Sequence, residues 1–141
     1  MKNALNTLGR IEKFNINEQR KILVALQERR DAEIEKLENL NFQFEQEKEF
    51  NRQHQLVGDF GAYIKKYLAD KEIIENHITE LEQEIENVRN IIADMYKEQK
   101  TYEIIDDNRK KRIQHEEDLK LQKQLDEIGT NNYIKHHEET N

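Results

Sequence analysis

Apolar residues recur along the second half of the chain at steps of three and four. From Ile64 the series runs through Tyr67, Lys71, Ile74, Ile78, Leu81, Ile85, Val88, Ile92 and Met95, and only Lys71 is not apolar. A stripe of that period is the buried seam of a coiled-coil helix. The next two seam positions are Gln99 and Tyr102, followed by Asp106, Arg109, Ile113 and Glu116. The spacing therefore predicts a seam that ends at Tyr102. The first half carries a patchier series: Ile16, Gln19, Leu23, Leu26, Arg30, Glu33, Leu37, Leu40, Phe44, Glu47, Asn51 and His54.

With no proline in the chain, glycines are the main candidate breaks. Gly58 and Gly61 stand in "LVGDFG", Gly9 near the start and Gly129 near the end; "NIN" at 15–17 is a weaker break. The expected organisation is an N-terminal segment 1–15, a first coiled-coil helix 16–55, a turn 56–62, a second helix 63–136 and a tail 137–141. The second helix is expected to be coiled coil to about 102 and a projecting segment over 103–129. Asp59 is a candidate N-cap and Gly129 a candidate C-cap.

The expected fold is all-α, a two-helix antiparallel coiled-coil hairpin with a projecting C-terminal helix. Folding about Asp59 sets Leu23 against Met95, Leu26 against Ile92, Leu37 against Leu81, Leu40 against Ile78 and Phe44 against Ile74. Polar exceptions also meet: Glu47 faces Lys71 and Gln19 faces Gln99, while Ile16 faces Tyr102. Arg30 opposite Val88 and Glu33 opposite Ile85 fit badly. Either their stems lie along the seam with the charge in water, or Ile34 and Ala32 replace them locally, or the register differs there. The paired arm of about 40 residues per helix is roughly 60 Å long. The helix beyond Tyr102 then projects, unless Leu5, Leu8, Ile11 and Phe14 fold back over it.

Composition narrows the class. Charged residues are 38% and apolar residues 35%, which suits an elongated helical protein rather than a deep globular core. Period-2 alternation is absent, so strands are not expected. There is no cysteine, hence no disulfide or thiolate metal site. No apolar run has membrane-span length, and "MKNALNTLGR" lacks a signal-peptide core. Net charge is −7, which opposes phosphate binding. The short basic run "RKKR" at 109–112 is flanked by Asp106, Asp107, Glu116, Glu117 and Asp118, which cancel much of its field.

Carboxylates abound, but on solvated faces without the burial that tunes an acid or base. His54, His77, His115, His136 and His137 contain no i, i+4 pair for a helix-borne zinc site. Phosphate-loop, nucleophile-elbow and zinc-protease motifs are absent. The chain reads as a non-enzyme with no cofactor and no metal.

The segment after Tyr102 carries pairs four apart, Glu103/Asp107, Asp107/Lys111 and Arg112/Glu116, that support a solvated helix. It also carries Ile105, Ile113, Leu119, Leu125 and Ile128, with Leu121 beside them. Partial amphipathicity on an unpaired helix favours docking into a partner. Near the turn, Phe42, Phe50 and Tyr63 are candidates for exposed aromatic contacts or for packing around the turn, and Phe44 and Tyr67 for the seam.

Lys100, Tyr102, Glu103, Arg109, Glu116, Gln122, Leu125, Asp126, Glu127 and Gly129 stand in the order and phase of the C-terminal signature of the flagellar FliJ family, which this sequence resembles. "LNTLGRIEKFNINEQRKILVAL" is similar to that family's opening helix. The likeness in length and register covers nearly the whole chain. The chain departs at Asn108, Leu119 and Leu121, where the family carries arginine, arginine and glutamate, so this C-terminal helix is more apolar.

The resemblance implies a long hairpin like the stalk of rotary ATPases, seated in the hexameric flagellar export ATPase and touching the membrane export gate. It also implies a role with export chaperones. On that basis the ATPase contact falls on Tyr102, Glu103, Arg109, Glu116, Gln122, Leu125, Asp126 and Glu127, and the gate contact on Phe42, Tyr63 and Tyr67. The expected state is a monomer within a larger assembly, cytoplasmic and peripheral to the cell membrane at the flagellar base, in flagellum biogenesis, motility and chemotaxis. The alternatives are a structural homo-oligomer pairing two chains in parallel, or a holdase chaperone.

Overall fold

The computed structural model describes residues 2–54 and 60–139, and every one of them is helical. Helix α1 spans Lys2–His54 and helix α2 spans Phe60–Glu139. The turn, with Gly58 and the candidate cap Asp59, lies outside the described residues.

Two expected boundaries are corrected. Helix α1 starts at Lys2, not near residue 16, and passes through "NIN" unbroken. Asn costs a helix only tenths of a kcal/mol, and Ile16 inside that run is 3% exposed, so burial outweighs the weak break. Gly129 is not a C-cap, because α2 continues to Glu139. A glycine inside a helix costs about 1 kcal/mol relative to alanine. With no proline to stop the chain, flanking helix formers absorb that cost. Thr79 and Thr101 are accommodated in α2 by donating their hydroxyls to the Glu75 and Lys97 carbonyls.

The chain divides into two compact units, Arg10–Tyr96 and Met1–Gly9 with Lys97–Asn141. In the first, Leu26, Leu81, Ile85 and Val88 form the core, with Leu23 and Ile92 packed against it. The two helices are in contact at several further points. Phe44 stacks on Tyr67 with ring centroids 3.9 Å apart, and the Tyr67 hydroxyl donates to Asn41 Oδ1 at 2.6 Å. Further on, His77 Nδ1 lies 3.7 Å from Glu33 Oε2, and the Arg20 guanidinium sits 5.4 Å from the Tyr96 ring centroid.

Two expected seam partners differ. Phe44 stacks with Phe60, Tyr63 and Tyr67, because flat rings near the turn find one another. Lys71 reaches Glu75 on its own helix at 3.9 Å instead of Glu47. Its ammonium also lies 5.9 Å from the Tyr67 ring, a cation–π position. At the awkward layers the expected register does not hold: Glu33 lies against His77 rather than Ile85, and Ala32 is exposed. Arg30 is shielded and bonds Asp31 at 3.1 Å, Glu33 is shielded and bonds Lys36 at 3.0 Å, and Ile34 is half-buried beside them.

In the second unit the half-buried positions are Leu5 and Gly9 on α1 and Gln99, Tyr102, Asp106 and Arg109 on α2. The shielded series therefore does not stop at Tyr102. It continues for two more seam positions, because the first turns of α1 share this unit. From Lys110 to Glu139 every residue is exposed.

Candidate functional site

The eight residues expected to contact an ATPase fall into two groups. Tyr102, Arg109 and Glu116 are seven apart and share one heptad position. Tyr102 is half-buried, and the Arg109 side chain is 14% exposed, with Nη2 3.4 Å from Asp106 Oδ1. Lys110 Nζ holds the other Asp106 oxygen at 3.1 Å. Arg109 Nε is buried without a hydrogen-bond partner. A guanidinium held this way is committed to its own unit. Glu103 is exposed, its carboxylate 3.9 Å from Lys100 Nζ. Glu116, Gln122, Leu125, Asp126 and Glu127 are all exposed.

The expected pairs Glu103/Asp107, Asp107/Lys111 and Arg112/Glu116 do not form. Glu103 and Asp107 are both carboxylates and repel, and the ion pairs of this stretch are instead Lys100 with Glu103 and Asp106 with Arg109 and Lys110. Within the exposed stretch Gln114 Nε2 donates to Asp118 Oδ1 at 3.0 Å, and the Tyr133 and His137 rings stack at 5.6 Å.

Nor do the exposed apolar residues form one stripe. Leu121, Leu125 and Ile128 follow i, i+4, i+7 and share a face. Ile105 and Leu119 lie fourteen apart on a different face, which also carries Tyr133. Tyr133 is 67% exposed. Sequence reasoning missed it because the projecting segment is drawn only to Gly129 within a helix expected to reach 136, although the unbroken heptad phase from Leu119 leads to it.

The second expected surface also divides. Tyr67 and Tyr63 are half-buried and occupied: Tyr67 by Phe44 and Asn41, Tyr63 by Phe44 at 6.2 Å and Phe60 at 5.9 Å. Phe42 is 64% exposed and lies apart from them with Phe50, along a shallow depression of about 440 Å³ on α1. Asn41, the polar partner of Tyr67, was not anticipated; its signal is an asparagine flanking an apolar seam.

Glu33 is held below the ordinary carboxylate range, chiefly by its hydrogen bond from Lys36 and further by His77. It borders an open groove of about 410 Å³ shared with Arg29, His77, Glu80, Leu81 and Glu84. Among the described residues no group of three His, Cys, Asp or Glu is placed to hold a metal ion, and no helix is long and apolar enough to cross a membrane. Compared with protein-family models, curated proteins and solved structures, the chain matches none.

Proposed function

We propose that this chain is a non-enzymatic component of flagellar protein export, of the FliJ kind. In this reading its two helices form an antiparallel coiled-coil hairpin whose C-terminal helix projects into the hexameric export ATPase. The hairpin end meets the membrane export gate, at the cytoplasmic face of the flagellar base, and the protein handles export chaperones. The observation that carries the proposal is the helix from Lys110 to Glu139, exposed throughout, which presents Glu116, Gln122, Leu125, Asp126 and Glu127 outward. Those are five of the residues on which the family resemblance rests. A helix whose side chains are all exposed can turn them to a ring of subunits.

The ATPase contact then centres on those five with Glu103, while Tyr102 and Arg109 hold the base of the projecting segment. Phe42 is the accessible member of the gate surface, and Tyr63 and Tyr67 shape the helix pair beneath it. The test is ATP hydrolysis by the purified cognate export ATPase with and without this protein. The expected result is stimulation that Leu125→Asp weakens while leaving helicity intact. No binding and no stimulation with the cognate enzyme would overturn the proposal.

A further inference from the structure

Five exposed residues stand at one heptad position of α2: Ile105, Arg112, Leu119, Asp126 and Tyr133. Ile105 is 49% exposed, Leu119 52% and Tyr133 67%. Among the described residues, neither Arg112 nor Asp126 has an ion-pair partner. The stripe is self-complementary when reversed. About Leu119, residues equally far on either side are Arg112 with Asp126 and Ile105 with Tyr133. A second copy laid antiparallel therefore sets apolar on apolar and cation on anion at every layer.

We infer that this face binds a second copy of the chain, antiparallel, on a two-fold axis at Leu119. Charge selects the orientation. A parallel pair would put Arg112 on Arg112 and Asp126 on Asp126, and like charges in contact repel. Slipping the antiparallel pair by one heptad would bring Leu119 onto a charged residue. The flank agrees: Glu116, three before Leu119, meets Lys123 of the second copy, four after it. The two-fold axis forms each of these ion pairs twice, as an isologous contact requires.

The paired length from Ile105 to Tyr133 is about 42 Å, and only three layers are apolar, so the dimer is weak and salt-sensitive. Glu116 and Asp126 also belong to the proposed ATPase contact, so self-pairing and ring binding exclude each other. The inference does not rest on the flagellar reading, and its test contains no other protein.

Sedimentation of the full chain decides it. The wild type is expected to dimerise at low salt and dissociate as salt rises. Asp126→Arg and Arg112→Asp should each weaken dimerisation by about tenfold or more, and the double variant should recover it to within about threefold. Circular dichroism of each variant should show unchanged helicity. The chain has no cysteine, so Leu119→Cys should crosslink to itself. Ile105→Cys should crosslink to Tyr133→Cys but not to itself. A wild type that stays monomeric to about 1 mM, a double variant that stays dissociated, or self-crosslinking at Ile105→Cys would each overturn the inference.

Discussion

The stretch Leu81–Val88 and the stretch Leu121–Ile128 belong to one helix and carry the same kinds of residue, yet the first is core and the second is solvated throughout. Ile85 is 2% exposed and Leu125 is 58% exposed. Helical propensity is satisfied equally in both. What separates them is the facing surface: Leu26 and Leu23 on α1 cover the first, and no described residue buries the second. Continuity of a helix therefore says nothing about packing, because the backbone bonds are local and the burial is not.

Ile85→Ala should break the comparison most sharply. Removing a fully buried isoleucine costs about 2–5 kcal/mol, while Leu125→Ala should stay within about 0.5 kcal/mol. Denaturant unfolding of both variants measures the contrast, and equal losses would mean the exposed stretch packs after all. Tyr67→Phe comes next, at about 1 kcal/mol for the lost hydrogen bond to Asn41.

Gly129→Ala works in the opposite direction. A Cβ there meets nothing within 4 Å, so helicity of the exposed stretch should rise, by up to about 1 kcal/mol locally. A loss of helicity would restore Gly129 as a cap.

The smallest effect is pH-dependent. The Glu33 carboxyl is depressed in the fold by Lys36 and His77. Its stabilising contribution is therefore present above the ordinary carboxylate value and fades as pH falls through the depressed one. Comparison of wild type with Glu33→Gln should show a difference of a few tenths of a kcal/mol at neutral pH, closing as the solution becomes more acid than about pH 4.5.

The core was legible in the heptad because apolar periodicity records burial directly. Leu26, Leu81, Ile85 and Val88 were all seam positions, and two long helices in contact are what the structure shows. The misses share a different cause. Asp106 and Arg109 looked like the end of the seam because they are charged, yet a guanidinium and a carboxylate that pair with each other can occupy seam positions. Gly129 looked like a terminus because glycine favours caps, yet nothing beyond it stops the helix. Tyr63 looked available because aromatics favour interfaces, while Tyr67 stood in the expected seam. The stacking of both on Phe44 depends on which rings the two helices bring together, and that is a tertiary fact.

The bareness of Lys110–Glu139 has a consequence for the lifetime of the chain. A protease needs extended backbone, so it cuts a helix only while that helix is open. With almost nothing beyond its own turns holding it shut, this stretch opens cheaply, and Lys110, Lys111, Arg112, Lys120, Lys123 and Lys135 offer trypsin-like enzymes a place to cut. Any occupant that covers it keeps it shut. Copies seated against a partner should therefore outlive free ones, and digestion of the free chain should begin there while Arg10–Tyr96 is still intact.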